Sequence, residues 1–400
     1  MANFDSIVCV GQTPWEGDFQ KAIVQLMTEL AVRHRVLYVD YQYTLKDWTA
    51  HLAGRGPGAN EPLLRPADSL TRKTFANGSA VYIWRPPLML PVNWLSDVPH
   101  DLLLRWNTTR LVRGLRRVMR QLGMKRPLVV NGLNPVSGLP LLSQLGEWAT
   151  IYYCFDEITA EEWIGRHGGR YEPLYLQRVD AVVTTSEALR QSKSRLQPKA
   201  FCVKNGVNFE LFNQARDYVT AQAAEPPVVG YLGTADGRID LPLVEHCVRT
   251  MPDVRFQFVG EVRDARLKEQ LSNYPNVEFV PPHQPAELPR LLAQMRAALI
   301  PYVCNAHTYT IYPLKINEYL AAGLPVVSTP FSILDDFDGI IELAESPESF
   351  AQALRRALAD DCPHRLEERI AMARANSWAH RAEEFEAVIG QLQPVSTPAR

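Results

Sequence analysis

The chain has 400 residues, of which 46% are hydrophobic and 22% are charged, and its formal net charge is -2. This length suggests about two domains, and the composition is that of an ordinary globular protein rather than a collagen, a coiled coil or a disordered chain. Because the 42 basic and 44 acidic side chains nearly balance, no overall charge favours nucleic acid, and no nucleic-acid partner is predicted.

Sequence signals for metal binding, secretion and membrane insertion are missing. The 6 cysteines are scattered without zinc-type spacing, which favours reduced thiols and predicts no metal site. The first residues lack the basic and apolar regions of a signal peptide, and no apolar run approaches the ~18 residues of a membrane span. We therefore predict a cytoplasmic protein.

Short apolar runs alternate with longer stretches of helical periodicity, which is the pattern of βα units around parallel sheets. The predicted strands of the first half are Ile7 to Val10, Val36 to Asp40, Ala80 to Trp84, Leu128 to Val130, Ile151 to Phe155, Ala181 to Thr184 and Phe201 to Val203. Those of the second half are Val228 to Leu232, Arg255 to Val259, Val277 to Val280, Ala297 to Ile300 and Pro325 to Ser328. The predicted fold class is α/β, with two doubly wound Rossmann-like domains in residues 1–222 and 223–378.

One segment near the end of the second predicted domain reads as loop, helix, cap and strand. Pro313 suits a first helical turn, and Gly323 suits the position after a helix end. The helix would follow the carboxyl end of a strand, where doubly wound domains bind phosphates. Lys315 would add a positive charge to a diphosphate, and Glu318 would accept hydrogen bonds from a ribose diol. Periodicity alone favours the plainer interpretation, which is an amphipathic helix with a solvated Lys315–Glu318 pair.

The run Pro313-Leu-Lys-x-x-Glu-Tyr-Leu-Ala-Ala-Gly-x-Pro-Val-Val327 resembles the donor-nucleotide motif of the retaining group 1 (family four-like) glycosyltransferases, and is similar to the teichuronic-acid type. The segments 203–208 and 230–234 resemble other parts of that family. The resemblance implies a GT-B architecture, in which two Rossmann-like domains face each other across a cleft. It also implies a C-terminal helix, at 379–395, that crosses back to the first domain.

The resemblance implies a retaining, metal-independent hexosyltransferase that moves a sugar from a UDP- or GDP-sugar to a surface polysaccharide or a lipid-linked glycan. No cofactor is expected beyond the nucleotide sugar, which is a co-substrate. The residues expected to bind the nucleotide sugar are Gly11, Gly233, Thr234, Arg238, His307, Leu314, Lys315 and Glu318. Plainer interpretations stay open, which are a tight turn at Gly11, a surface arginine at Arg238 and an exposed loop histidine at His307.

The chain departs from the family motif at one position. The family has two glutamates separated by seven residues, of which the second matches Glu318 and the first falls on Thr310. The first glutamate contacts the donor sugar in the family. The identity of the sugar and the choice between a retaining and an inverting outcome therefore stay open here.

Two carboxylates in the first domain are the candidate catalytic residues. Asp156 and Glu157 follow a buried strand, at the edge of the sheet where side chains of open α/β sheets reach a substrate. A carboxylate at that place would position or deprotonate an acceptor hydroxyl. Alternatively, Asp156 begins the helix that follows.

The segment 110–126 is basic, without an acidic side chain, and apolar residues line the opposite face of its predicted helix. Such a helix would contact anionic lipid on the inner face of the plasma membrane, or it would pack on the sheet and expose its basic face to water. Two other functions also stay open. One is a sugar-nucleotide epimerase of the same fold, and the other is a catalytically silent scaffold or glycan-binding protein.

Overall fold

The computed structural model describes residues 4–17, 21–53, 68–75, 77–160, 164–219 and 226–392. The chain forms two compact units. The first unit comprises Met1–Val203 and Ala382–Arg400, and the second comprises Lys204–Arg381. Each unit is built around its own parallel sheet, with helices before and after the strands.

The described part of the first unit has an eight-stranded sheet in the order β3-β4-β2-β1-β5-β6-β7-β8. The strands are β1 (Ile7–Val10), β2 (Val36–Val39), β3 (Leu70–Thr74), β4 (Ala80–Trp84), β5 (Leu128–Gly132), β6 (Ala149–Cys154), β7 (Ala181–Thr184) and β8 (Ala200–Cys202). Only β3 runs antiparallel to its neighbour. Every residue of β1 and β2 is buried, as expected for parallel strands that helices cover on both faces.

Most helices of the first unit pack an apolar face on this sheet. The helices are α1 (Ala22–Leu30), α2 (Leu45–Leu52), α3 (Asp97–Gln121), α4 (Pro135–Leu141), α5 (Gly165–Leu176) and α6 (Glu187–Lys193). Of these, α2 buries none of its residues. The long α3 buries Leu111 and Leu115 in a cluster with Val8 and Leu37. This burial anchors α3 to the centre of the sheet.

The described part of the second unit has a six-stranded, all-parallel sheet in the order β11-β10-β9-β12-β13-β14. The strands are β9 (Val228–Leu232), β10 (Arg255–Val259), β11 (Val277–Val280), β12 (Ala297–Ile300), β13 (Val326–Ser328) and β14 (Glu342–Leu343). The remaining helices are α7 (Phe209–Asn213), α8 (Leu241–Thr250), α9 (Ala265–Leu271), α10 (Leu288–Leu292), α11 (Ala306–Tyr309), α12 (Leu314–Ala321), α13 (Pro347–Leu358), α14 (Pro363–Ala375) and α15 (Trp378–Gln391).

Both sheets reverse their strand order at a central strand. In the first unit β1 lies between β2 and β5, and in the second unit β9 lies between β10 and β12. Open α/β sheets bind ligands outside the carboxyl ends of the strands at such a reversal. The loops after β1 and β9 are therefore where ligands are expected in each unit.

The structure confirms the predicted α/β class with two doubly wound, Rossmann-like units. All the predicted strands are present, with ends shifted by at most two residues. The prediction missed β3 and β14. Most of β3 is exposed at the edge of its sheet, and β14 has 2 residues, so neither produces a buried apolar run.

The division between the units lies earlier in the chain than the predicted boundary between residues 222 and 223. The second unit begins at Lys204, because Phe209 and Phe212 of α7 join its hydrophobic core. The backbone amide of Val207 also donates to the carbonyl of Asn376, at 3.0 Å. The apolar pattern of this segment shows that it is buried, but does not show which core it joins.

The terminal helix α15 begins in the second unit and passes into the first at Ala382. In the first unit, Arg33 pairs with Glu383 and Glu386 of this helix, and the ring of Phe385 lies 6.2 Å from that of Tyr153. These contacts involve part of the segment 379–395 that was predicted to cross back. Among the described helices, none is both long enough and apolar enough to span a membrane.

Candidate functional site

Two glycines turn the chain at the carboxyl ends of β9 and β10. Gly233 has a φ of 125° and Gly260 has a φ of 136°, which side chains rarely allow. A Cβ atom on Gly233 would lie 2.5 Å from Cε of Lys315, and one on Gly260 would lie 2.5 Å from the carbonyl oxygen of Gly233. Gly233 therefore lets its loop approach Lys315 in the first turn of α12, and Gly260 lets the loop after β10 approach the loop after β9.

The helix α12 carries the predicted diphosphate and ribose residues. It begins at Leu314 after Pro313, and its buried face includes Ile316 and Tyr319. The backbone N–H of Leu232, at the end of β9, donates to the hydroxyl of Tyr319 at 2.7 Å. This bond and the buried face fix the start of α12 beside the end of the central strand.

A cluster of charges and tyrosines surrounds Lys315. Its ammonium group donates to the hydroxyl of Tyr302 at 3.1 Å, and lies 5.4 Å from the ring centre of Tyr231. The guanidinium of Arg238 lies 5.6 Å from the ring centre of Tyr302 and makes two hydrogen bonds to Asp236, of 2.8 Å and 2.7 Å. Two cations and one carboxylate therefore share this place, which favours an anionic ligand.

The pKa shifts of the cluster agree with an excess of positive charge. Burial disfavours the phenolate of Tyr302, yet the charges of Lys315 and Arg238 lower the pKa of this tyrosine below its ordinary value. Desolvation likewise opposes ionisation of Asp236, but its hydrogen bonds to Arg238 lower the pKa of that carboxyl. Both pKa shifts have the same cause. The positive charges of Lys315 and Arg238 stabilise the ionised forms of Tyr302 and Asp236.

Glu318 lies one turn along α12 from Lys315. Its side chain is half-buried, and no described residue forms a hydrogen bond or an ion pair with its carboxylate. Desolvation raises the pKa of Glu318 to about 7, and the nearby charge of Lys315 opposes that shift. The alternative of a solvated Lys315–Glu318 pair is not observed, because Lys315 bonds to Tyr302. A desolvated carboxylate without a partner is suited to accept hydrogen bonds from a ligand.

The structure brings most of the predicted donor residues of the second unit together. Those at or next to the cluster are Gly233, Thr234, Arg238, Leu314 and Lys315, with Glu318 one turn further. Arg238 is half-buried and held by Asp236, rather than a free surface arginine. His307 is exposed in α11, and its ring has no hydrogen bond to a described residue, which favours the plainer interpretation. Thr310 donates its hydroxyl to the carbonyl of His307 at 2.8 Å.

The sequence analysis missed Asp236 and the tyrosines at positions 231, 302 and 319. Tyr231 lies inside a buried strand, so its pattern is that of a core residue. Tyr302 follows β12, a direct neighbour of the central strand β9. The rule that ligands bind beyond the strand ends at an order reversal could have identified Tyr302.

Gly11 follows β1 in the first unit, and the packing around it leaves no room for a side chain. A Cβ atom on Gly11 would lie 2.2 Å from the hydroxyl of Tyr38, and that hydroxyl donates to the carbonyl of Thr13 at 2.7 Å. Gly11 therefore lets a tyrosine of β2 brace the loop. The proposed contact of Gly11 with a ligand stays a prediction.

The two candidate catalytic carboxylates lie in different surroundings. Glu157 accepts hydrogen bonds from Lys193 at 3.1 Å and 3.0 Å. Lys193 is buried and also donates to the buried Glu172 at 2.8 Å. Glu157 is thus engaged in an internal ion network, which favours a structural role for its carboxylate. Asp156 lies half-buried just past the end of β6, and its catalytic role stays a prediction.

The first unit contains a cavity of about 520 Å³ near the carboxyl ends of its strands. One part of its wall is apolar, and the other part includes amides and a hydroxyl from Gln12, Gln42, Asn134 and Ser137. The side-chain nitrogen of Gln42 is buried and has no hydrogen-bond partner in the part of the chain that the structure describes. A mixed wall with an unsatisfied amide is typical of a site for a polar ligand that also has apolar surface. The sequence analysis missed this cavity.

No group of three His, Cys, Asp or Glu side chains in the described residues is arranged to hold a metal ion. The cluster described above offers two positive charges to an anion. Arg238 and Lys315 contribute them, at the carboxyl end of the second sheet.

Comparison with protein families matches residues 237–360 to a family described as Glycosyl transferases group 1. The chain is 29% identical over 211 residues to a protein of Bacillus subtilis (strain 168) described as putative teichuronic acid biosynthesis glycosyltransferase TuaH. That alignment covers 48% of this chain and 53% of the relative, so the chain spans about half the length of the curated relative that it matches.

Solved structures with a similar fold cover nearly the whole chain. A sucrose-phosphate synthase from Thermosynechococcus elongatus superimposes with a TM-score of 0.70 at 17% identity, covering 97% of this chain and 99% of the other. An α,α-trehalose-phosphate synthase (UDP-forming) from Burkholderia vietnamiensis has a TM-score of 0.69 at 11% identity, covering 98% of both chains. At these identities, the similarity establishes the fold.

Proposed function

We propose that this chain, whose residues 237–360 match the family Glycosyl transferases group 1 and whose fold is that of GT-B proteins, transfers a sugar from a nucleotide-diphosphate sugar to an acceptor. The observation that carries the proposal is the cluster of Lys315 and Arg238 beside Gly233, with the carboxylate of Glu318, which has no partner among the described residues, one turn away. These groups match the two polar parts of a nucleoside diphosphate, which are the diphosphate and the ribose.

The second unit would bind the donor. The diphosphate would lie against Lys315 and the first turn of α12, where helix N–H groups and a positive charge favour phosphate. The ionised Glu318 would accept hydrogen bonds from the ribose hydroxyls. Thr234 follows the Gly233 turn and would line the same site. The nucleotide would be UDP or GDP.

The same cations would assist the chemistry. Glycosyl transfer places negative charge on the leaving diphosphate, and fixed positive groups lower the barrier when they are aimed at that charge. Lys315 and Arg238 would supply this stabilisation. A retaining, metal-independent reaction is part of the proposal.

The first unit would bind the acceptor in its cavity of about 520 Å³. Sugars combine apolar ring faces with hydroxyl groups, and the wall combines apolar side chains with the amides of Gln42 and Asn134. Asp156 is the proposed group that positions or deprotonates the acceptor hydroxyl. The acceptor class would be a surface polysaccharide or a lipid-linked glycan, as with the teichuronic acid that the B. subtilis relative's description names. Contact of the basic segment 110–126 with anionic lipid is also proposed.

Turnover assays test the proposed reaction. The purified chain is incubated with UDP- and GDP-sugars, with and without glycan acceptors, and the released nucleotide and the products are identified by mass spectrometry. The proposal expects nucleoside diphosphate release that depends on the acceptor, together with an acceptor that is one sugar larger. Conversion of the donor sugar to its epimer without acceptor would instead establish an epimerase. No turnover with any donor would favour a silent scaffold.

A further inference from the structure

The first half of α3, together with Trp94 three residues before the helix begins, exposes a row of large apolar side chains. Trp94, Val98, Leu102 and Trp106 follow one another at intervals of four residues, and their exposed fractions are 67%, 82%, 68% and 44%. Side chains four apart lie on one face of a helix, so Val98, Leu102 and Trp106 form one line. We call these four residues the apolar stripe. Scattered exposed apolar residues are ordinary, whereas a contiguous row marks an interaction surface.

The apolar stripe cannot turn inward, because α3 is held from its other face. Leu111 and Leu115 are buried in the core of the first unit. The side-chain amide of Asn107 bonds to the N–H and the carbonyl of Leu90, at 2.9 Å each. Near the start of the helix, the buried ring of His100 stacks on that of His167 at 3.6 Å. These contacts fix the rotation of α3 about its axis and keep the apolar stripe outward.

The exposed face of α3 continues from the apolar stripe into positive charge. After Asp101 the helix contains no acidic residue, and its basic residues are Arg105, Arg110, Arg113, Arg116, Arg117 and Arg120. Among the described residues, only Arg117 of this set pairs with a carboxylate, that of Asp68. The guanidinium of Arg110 lies 4.6 Å from the ring centre of Trp106, so the apolar and basic parts adjoin. We call the apolar stripe and these arginines the docking face.

We propose that the docking face binds an anionic lipid bilayer. Tryptophan and aliphatic side chains enter the boundary between headgroups and acyl chains, and arginines bind lipid phosphates there. The inference goes beyond sugar transfer, because lipid binding would occur without any donor or acceptor. It extends the lipid contact proposed above for the basic segment 110–126 to the apolar stripe, as far as Trp94, which lies on the wall of the first unit's cavity.

The charges favour a lipid surface over a second copy of this chain. In a symmetric dimer the same patch would face itself, so arginines would lie near arginines. Like charges facing each other across an interface oppose association. An anionic bilayer supplies both the negative charge that complements the arginines and the apolar layer that accepts the apolar stripe.

Co-sedimentation of the full chain with vesicles tests the proposal. Vesicles of phosphatidylcholine alone are compared with vesicles that also contain phosphatidylglycerol. The chain should sediment with the anionic vesicles, and Leu102→Glu should weaken that binding about tenfold or more, because a carboxylate enters poorly and repels anionic lipid. The matched control is Leu343→Glu, which makes the same change at a leucine that is 47% exposed in the second unit and should bind as the wild type does.

A second measurement separates insertion from charge attraction. Lipids brominated on their acyl chains should quench part of the tryptophan fluorescence, and the variant Trp94→Phe/Trp106→Phe should lose most of that quenching while still binding. Circular dichroism must show that each variant folds. The proposal is overturned if the wild type does not bind anionic vesicles, or if Leu102→Glu binds as tightly as Leu343→Glu. It is also overturned if the wild type is a dimer that Leu102→Glu dissociates.

Discussion

The two units share a sheet architecture but arrange different chemistry at the carboxyl ends of their strands. In the second unit, the cations Lys315 and Arg238 and the carboxylate of Asp236 gather beside a glycine turn. In the first unit, loops after several strands enclose a wide cavity whose wall combines apolar side chains and amides with the charged Lys46, Asp47 and Arg166. The second unit thus gathers its charges beside one glycine turn, whereas the cavity takes its lining from many loops.

That difference explains which parts of the site the sequence could predict. Pro313, Lys315 and Glu318 occur in one short segment with recognisable spacing, so the donor site was predicted from them. The residues that line the cavity are scattered along the sequence between Gln12 and Arg166, so no single segment predicts it. Its existence depends on how the loops fold together, which periodicity does not describe.

The fold, like the site, was predictable in part from the sequence. Buried parallel strands produce apolar runs, and all the predicted strands are present. The edge strand β3 has the sequence Leu-Thr-Arg-Lys-Thr and is mostly exposed, so it lacks that signal. The segment with Phe209 and Phe212 shows apolar periodicity, but only tertiary packing decides that it belongs to the second unit.

The largest predicted effect concerns the stability of the first unit. Lys193→Met should lower the free energy of unfolding by about 3–5 kcal/mol, because the buried Glu172 loses its cation. Urea unfolding followed by tryptophan fluorescence measures it. Lys199→Met, at an exposed lysine of the same unit, should change stability little. If Lys193→Met were as stable as the wild type but no longer transferred sugar, the structural role assigned to Glu157 would be contradicted.

The next effect concerns the cations of the second unit. Lys315→Ala should reduce the rate of sugar transfer by about 100- to 1000-fold, because a fixed charge that stabilises the leaving diphosphate is removed. Initial rates of nucleotide release measure it. Lys268→Ala, at an exposed lysine of α9 in the same unit, is the matched control. Equal rates for the two variants would exclude Lys315 from the reaction.

A smaller effect is expected at the ribose. Glu318→Ala should weaken the binding of a nucleoside diphosphate about 10- to 100-fold, as for the loss of hydrogen bonds to a charged group. Calorimetric titration measures it with UDP and GDP, and again with their 2′-deoxy forms. The variant should lose less affinity for the deoxy forms. The same loss for both would place Glu318 away from the 2′-hydroxyl.

The same carboxylate gives this prediction a pH signature. Desolvation raises the pKa of Glu318 from its ordinary 4.5 to about 7, so the residue becomes an ionised acceptor only as pH rises through that value. Nucleotide affinity of the wild type should therefore increase through pH 7 more steeply than that of Glu318→Ala. The same pKa shift makes folding stability change with pH in the opposite direction to nucleotide affinity. The contribution of Glu318 to stability is fully present below pH 4.5 and is lost as the pH rises through about 7.

The smallest effect is expected in the cavity of the first unit. Gln42→Leu should raise the KM for the acceptor about threefold to tenfold, as for one lost neutral hydrogen bond, and leave the KM for the donor unchanged. Steady-state kinetics with both substrates varied measures this. Gln191→Leu, at an exposed glutamine of α6, should leave both constants unchanged. A change in the donor KM alone would contradict the assignment of the acceptor to this cavity.

Hydrogen–deuterium exchange of the whole chain with and without saturating UDP or GDP tests the central claim most directly. If the second unit binds the nucleotide at its charge cluster, protection should concentrate in peptides that contain Gly233 to Arg238 and Tyr302 to Tyr319. Lys315→Ala should lose that protection at the same nucleotide concentration. Protection confined to the cavity of the first unit, or none with either nucleotide, would contradict the account.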